Sequence, residues 1–249
     1  MTRKGRDGVI DIHTHILPGM DDGAKDVEMS LAMLRMQREQ GVDAVVLTPH
    51  FYRNKEKPAH FLQRRQEAFE RLQRAIEDSG EEFPQLVLGA EVAWMPNMTE
   101  WEEIEQLCLG ESEYLLLELP FYTWRSQVIQ QIYDLMLDHN ITPVFAHLER
   151  YLKNQKREYI QEILDMGTPI QVSSAPMAHF LERRPILKML KNGQAHIMAS
   201  DCHNITTRPP NLAMGMSVVE RKLGAAQVER LKRNGEELNI FGHASYEIR

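Results

Sequence analysis

Seven short apolar segments alternate with amphipathic ones along the 249-residue chain, and no other feature constrains its fold as strongly. Residues 9–13, 43–48, 86–90, 114–119, 143–146, 169–172 and 196–199 read as strands. Between them, 26–40, 57–79, 98–107, 128–139, 156–166 and 186–191 read as helices. Three of these run into Gly41, Gly167 or Gly193, residues suited to ending a helix. The remainder from Asn211 also looks helical, with polar interruptions. Apolar strands separated by amphipathic helices imply a parallel sheet covered on its faces. No GxGxxG or GxxxxGK(S/T) loop follows any strand, so open nucleotide-binding sheets lose their main support. The expected fold is α/β, a distorted (β/α)7 TIM-like barrel made by one domain spanning residues 1–249, with 1–8 as an N-terminal extension.

The composition narrows the partners. A net charge of -7 argues against nucleic acid or an anionic membrane surface as the main partner. An anionic substrate would therefore need local positive charge from metal ions or arginines. Two cysteines, Cys108 and Cys202, build no disulfide framework. No run approaches 18 apolar residues, and the basic start lacks an apolar stretch behind it, so a cytoplasmic protein without membrane insertion is expected.

Polar residues then mark the strand ends. His13 and His15, two apart at the close of the first apolar run, point to one face of a strand and form a pincer for a metal ion. Asp21 and Asp22 follow in the next loop. His50 ends the second strand, Glu91 the third, Glu118 the fourth and His147 the fifth. Asp201 and His203, again two apart, end the seventh. In a parallel barrel all strand C-termini open on one face, so six of seven strands deliver a ligand-type side chain to one mouth. Glu118 is the hardest to explain otherwise, because a carboxylate between Leu117 and Leu119 is costly unless a cation compensates it. Glu91 as a capping residue and His147 as a satisfied core histidine are the plainer alternatives. His60, His139, His179, His196 and His243 fall elsewhere and read as structural or solvated.

Nine candidates are too many for one tetrahedral ion but suit two or three divalent ions sharing carboxylates. Mixed imidazole and carboxylate shells favour Zn, Mn or Fe. Closely spaced divalent ions with a bridging hydroxide serve hydrolytic phosphatases and nucleases. The residues alone thus lead to a metal-dependent hydrolase, most simply of phosphate esters.

The motifs DIHTHILPGMDDG, TPH at 48–50, GAE at 89–91, LLLEL at 115–119, AHLER at 146–150 and ASDCHN at 199–204 resemble the PHP-domain tyrosine phosphatases of Gram-positive bacteria. The resemblance runs in order over nearly the whole chain. It implies a manganese-dependent phosphatase acting on a phosphotyrosine protein, in this family a bacterial tyrosine kinase that controls capsular or exopolysaccharide synthesis. It further implies one ion held by His13, His15, Glu91 and Asp201, and a second held by Glu91, Glu118 and His147. Asp22, His50 and His203 would hold a third. Arg150 and Arg208 would grip the phosphate, for which planar guanidinium forks are suited. The wider superfamily leaves two alternatives, a histidinol-phosphatase type of small-molecule phosphomonoesterase and a PHP-type nuclease. A non-catalytic, metal-stabilised interaction protein is the remaining class.

Cys202 and Arg208 also fit C-x5-R, the pattern of cysteine-dependent tyrosine phosphatases. That chemistry needs a low-pKa thiolate before a ring of backbone amides. Cys202 lies between Asp201 and His203, so strand alternation points it away from the ligand face, and the loop lacks glycine. Cys202→Ser should therefore keep most phosphatase activity, with no phosphocysteine trapped by acid quench. An inactive variant with a full metal complement would transfer the mechanism to sulfur.

Overall fold

Parallel pairing of short strands dominates the architecture, as seen in a computed structural model that describes residues 8–242. Residues 1–7 of the expected N-terminal extension and His243 lie outside the described residues. The strands are β1 (Ile10–Thr14), β2 (Ala44–Leu47), β3 (His50–Phe51), β4 (Gln85–Leu88), β5 (Glu91–Ala93), β6 (Tyr114–Glu118), β7 (Thr142–Phe145), β8 (Gln171–Ser173) and β9 (Ile197–Ala199). Seven segments were expected; the second and third are each interrupted, at Thr48-Pro49 and at Gly89-Ala90. Pro49 has no N–H to give the ladder, which accounts for the first break.

All pairs are parallel, in sheets ordered β1-β2-β4, β3-β5-β6-β7 and β8-β9. Because the chain runs directly from β2 into β3 and from β4 into β5, the first two sheets are continuous. Isolated bridges join Phe145 to Ile170 and Thr14 to Cys202. His15 N–H donates to Cys202 O and Asp201 N–H to His13 O, both at 2.9 Å. These links return the last strand to the first, and the result is the expected distorted barrel.

The helices are α1 (Val27–Glu39), α2 (Pro58–Ser79), α3 (Ser126–His139), α4 (Arg157–Asp165), α5 (Arg183–Lys191), α6 (Leu212–Leu223) and α7 (Ala225–Glu236). Asp26 caps α1, its side chain accepting from Met29 N–H, while Pro58 opens α2 and Gly80 closes it with φ 64°. One expected helix is absent. Residues 98–107 form two 3-10 turns, Met98–Glu100 and Ile104–Leu107. The buried residues there, Met98, Trp101, Ile104 and Leu107, repeat every three residues, the period of a 3-10 turn and not of an α-helix.

Two cores result. Ile10, Ile12, Ala44, Val46, Leu116, Val144, Ala146, Ile197 and Ala199 fill the barrel, joined by Leu238 and Ile240 from the segment after α7. The larger core, including Leu34, Phe61, Leu72, Ile132 and Ile163, lies between barrel and helices. Asn234 Nδ2 donates to His196 O at 2.8 Å, fixing α7 at the strand starts. The strand ends are left open for side-chain chemistry.

α6 touches the barrel through Gly215, where a Cβ would lie 2.6 Å from Ser174 Cβ and 2.8 Å from Met198 Sδ. Alanine gains about 1 kcal/mol of helix propensity over glycine, but overpacking costs about 1–3 kcal/mol. Gly215→Ala should accordingly lower Tm by about 2–6 °C, measured by calorimetry. An unchanged or higher Tm would show that this contact yields without cost.

Candidate metal centre

A register shift in β1 places the first two ligand-type side chains. Asp11 pairs with Val45 but Thr14 with Leu47, so β1 carries one extra residue between them. The extra residue reverses the alternation, as a β-bulge does. His13 and His15 thus join the side of β1 that Ile10 and Ile12 present to the barrel. Asp11 stays opposite, accepting from Gln37 Nε2 at 2.6 Å and from Ser200 N–H at 2.9 Å. Strand pairing supplies the next set: His50 is the partner of Glu91 across β3 and β5, and Ala93 that of Glu118 across β5 and β6. The last turns are strained. His147 and Asp201 follow β7 and β9 with φ of 34° and 51°, the left-handed region that non-glycine residues rarely enter.

All nine ligand-type residues named from the sequence converge at this mouth. His13 Nε2 lies 3.2 Å from His15 Nε2, 3.1 Å from Glu91 Oε2 and 3.5 Å from Asp201 Oδ1. His15 Nε2 is 3.3 Å from Glu91 Oε2 and 3.5 Å from Asp201 Oδ1. Four atoms bound tetrahedrally at about 2.1 Å from one ion lie about 3.4 Å apart, so these spacings match a single coordination shell. The other Glu91 oxygen, Oε1, is 2.9 Å from His147 Nε2, which is 3.5 Å from Glu118 Oε1. Glu91 therefore faces two neighbouring groups with its two oxygens. Asp22, largely exposed, reaches over His50 Nε2 at 3.6 Å and His203 Nε2 at 3.5 Å.

Orphaned atoms point the same way. Glu91 Oε2, His203 Nε2 and His147 Nδ1 are buried without a hydrogen-bond partner. An unmade hydrogen bond of this kind is costly, and for Glu91 Oε2 and His203 Nε2, which face the cluster, a cation removes the cost. Mixed imidazole and carboxylate donors without thiolate suit borderline and hard divalent ions. The residues present fit two or three such ions.

The electrostatics follow from crowding. Burial alone would raise the Glu91 carboxyl, yet His13, His147 and His15 hold it well below the usual carboxylate range. Asp201 is likewise held low against burial, by His13, His15 and Arg150. Burial opposes protonation of His147, but hydrogen bonds to Glu118 and Glu91 raise its pKa to about 9. Burial and the nearby His15 push His203 down to about 3. Glu91 and Asp201 are thus kept ionised by the basic groups packed around them.

Arg150 and Arg208 both stand at the mouth. The Nη2 of each donates to Asp201 Oδ2, Arg208 at 2.8 Å and Arg150 as the closer of the two. Together with Glu118 and His147 they line a cavity of about 290 Å³ over the cluster.

Two contributors were not identified from the sequence. Asp21 Oδ2 accepts His15 Nδ1–H at 2.7 Å and the His50 N–H at 2.8 Å, orienting His15 so that Nε2 faces the cluster. Gly23 makes that loop possible, since a Cβ there would fall on the His15 carbonyl. Gln171 Oε1 accepts His147 N–H at 2.7 Å and His13 Nδ1–H at 3.2 Å. It belongs to the one strand for which no ligand was named, and that gap was the available signal. Three of the remaining histidines hold local partners: His60 Nδ1 meets Glu56 at 2.8 Å, His139 Nε2–H donates to Thr99 O at 2.8 Å, and His196 Nδ1 accepts Ile170 N–H at 3.1 Å. Cys202 is fully buried, 3.8 Å from Gln37 Nε2, and burial followed by the Asp11 charge pushes its thiol up. It cannot serve as a thiolate nucleophile.

The sequence profile of a family described as capsular polysaccharide synthesis, CpsB/CapC, matches residues 9–239. The tyrosine-protein phosphatase CpsB of Streptococcus pneumoniae is 32% identical over 240 residues, covering 90% of this chain and 94% of that protein. The tyrosine-protein phosphatase YwqE of Bacillus subtilis is 31% identical over 242 residues, covering 92% and 90%. A crystal structure from work on YwqE and CpsB, described as unique metal-dependent tyrosine phosphatases, superposes with a TM-score of 0.80 at 28% identity, covering 92% of this chain and 94% of that one. A phosphotriesterase homology protein from Escherichia coli with phosphate in its active site shares the fold alone, at a TM-score of 0.56 and 11% identity.

The geometry makes the ligands unequal. Glu91 faces two groups and Asp22 only one, so Glu91→Ala should weaken metal binding on the order of 100-fold or more, beyond what losing an outer partner typically costs. Asp22→Ala should lose less, both compared by elemental analysis after dialysis. Equal metal content in the two variants would contradict the shared-carboxylate arrangement.

Proposed function

This chain belongs to the CpsB/CapC family of capsular polysaccharide synthesis, and from that premise we propose that it is a metal-dependent protein-tyrosine phosphatase. One observation carries the reading: nine imidazole and carboxylate side chains converge beneath two arginines, in a chain matched over 90% of its length by a tyrosine phosphatase. When bound, two or three divalent ions, manganese foremost, would supply the Lewis acidity that activates water for attack on phosphorus.

The chain's own residues do the rest. His13, His15, Glu91 and Asp201 would hold one ion, Glu91, Glu118 and His147 a second, and Asp22, His50 and His203 a third. Asp21 and Gln171 orient these imidazoles. Arg150 and Arg208 exchange Asp201 for phosphoryl oxygens, each offering a planar guanidinium fork. They also stabilise the charge that grows on those oxygens in the transition state. A tyrosinate leaving group has a pKa near about 10, so no strong general acid is required.

The substrate is a phosphotyrosine protein, and a bacterial tyrosine kinase of capsule or exopolysaccharide synthesis is the partner we favour. No helix among the described residues is long and apolar enough to cross a membrane, in keeping with a cytoplasmic site of action. Exhaustive chelation should abolish hydrolysis of a phosphotyrosyl peptide, and Mn²⁺ should restore it better than Mg²⁺. Histidinol phosphate should be hydrolysed at least about 10-fold less efficiently, about 1.4 kcal/mol of transition-state discrimination. Full activity after chelation, or a preference for histidinol phosphate, would overturn this assignment.

A further inference from the structure

Residues 119–125 lead from β6 towards α3 beside the cluster, and hydrogen bonds pin this loop at several points. Tyr151 Oη donates to Leu119 O at 2.6 Å, and Trp124 Nε1–H to Pro120 O at 2.8 Å. Gln155 accepts Trp124 N–H at 2.8 Å and donates to Tyr122 O at 2.9 Å. Trp124 and Tyr151 are fully buried, so the loop has little freedom. Yet this braced loop holds Phe121 60% exposed, forgoing the burial that normally draws a phenyl group inward.

The position of that ring is specific. It packs against Tyr151, with centroids 5.2 Å apart and planes 25° from parallel. It also lies within 18° of parallel to the His147 imidazole, at 6.3 Å. Phe121 lines the same 290 Å³ cavity as His147, Glu118, Arg150 and Arg208. A cavity of about 150 Å³ can hold benzene, so this one has room for a phenyl ring and its phosphoryl group together. Among the described residues the other exposed aromatics, Tyr122, Tyr133 and Phe180, do not line it, and the second aromatic that does, Tyr52, is half-buried.

We propose that Phe121 selects aryl over alkyl phosphate esters, its ring face receiving the substrate's phenyl ring while Arg150 and Arg208 hold the phosphoryl oxygens. This specificity role rests on the phosphatase reading above and deepens it. Parallel, offset rings attract beyond the area they bury, and an alkyl ester offers no such face.

The test uses the full-length, manganese-loaded protein, with phenyl and ethyl phosphate as substrates and benzyl- and methylphosphonate as non-hydrolysed ligands in calorimetry. Phe121→Ala should reduce the aryl-to-alkyl ratio of kcat/KM, and of binding, by about 5- to 20-fold, the scale of one lost aromatic contact with its buried area. Bound manganese and Tm should match the wild type. Phe121→Trp should retain the preference to within about 3-fold, since another ring face is supplied. Tyr133→Ala, an exposed aromatic outside the cavity, should leave the ratio at the wild-type value.

Equal losses on aryl and alkyl ligands, or no loss on either, would overturn the proposal. So would a loss confined to phosphotyrosyl peptides, which would assign Phe121 to polypeptide docking. A wild-type protein that hydrolyses neither ester yet prefers benzylphosphonate in a Phe121-dependent way would defeat the phosphatase reading and leave the aryl contact standing.

Discussion

A carboxylate with 1% exposure lies among four imidazoles at the centre of this molecule, and the mouth of the barrel is arranged around it. Glu91 meets His13 at 3.1 Å, His15 at 3.3 Å, and His50 and His147 at 2.9 Å each. Those four residues come from β1 and the residue after it, from β3 and from the turn after β7, so one side chain ties together most of the ring. An ionised carboxylate taken out of water is expensive unless positive charge accompanies it. Divalent ions held there would supply that charge without demanding protons from the histidines. Folding and metal binding would thereby be linked, since ions that bind only the assembled mouth would stabilise it.

Irregular backbone brings these side chains there. A regular β1 would alternate His13 and His15 with Ile10 and Ile12 on opposite faces; the extra residue places all four on the barrel side. His147 and Asp201 occupy left-handed conformations that cost on the order of 1–3 kcal/mol each. Such strain persists only where the surroundings over-determine it. Here Gln171 grips the His147 N–H, while Asp201 N–H is tied to His13 O. The loops above the mouth are held just as firmly, with Asn204 Oδ1 accepting the N–H groups of Thr206, Thr207 and Arg208. That turn presents the Arg208 side chain to Asp201.

Much of this was legible in the amino-acid order. Apolar runs of four to six residues separated by amphipathic helices specify a parallel sheet, because covered strands need no polar face. The strand-end positions of His50, Glu91, Glu118, His147 and Asp201 then specify a common mouth, because parallel strands end on one side. The misreading of 98–107 is equally physical: a period of three and a period of 3.6 are hard to separate over ten residues. Asp21 was placed in its loop but not assigned a task, since two adjacent aspartates look alike until one of them is seen to accept from His15.

The sequence by itself determined where the apolar strand segments lie, the side on which chemistry gathers and the donor types, because these follow from local periodicity and side-chain identity. Only the tertiary structure decided which oxygen of Glu91 faces which imidazole and which residues brace the ligands. Gln171 lies 158 positions from His13, and Tyr151 is 32 from the Leu119 carbonyl it holds. Phe121 reads in the sequence as one more aromatic in a loop. Its nearly parallel approach to His147 depends on Trp124, Tyr151 and Gln155 packing together, and such non-local packing leaves no periodic trace along the chain.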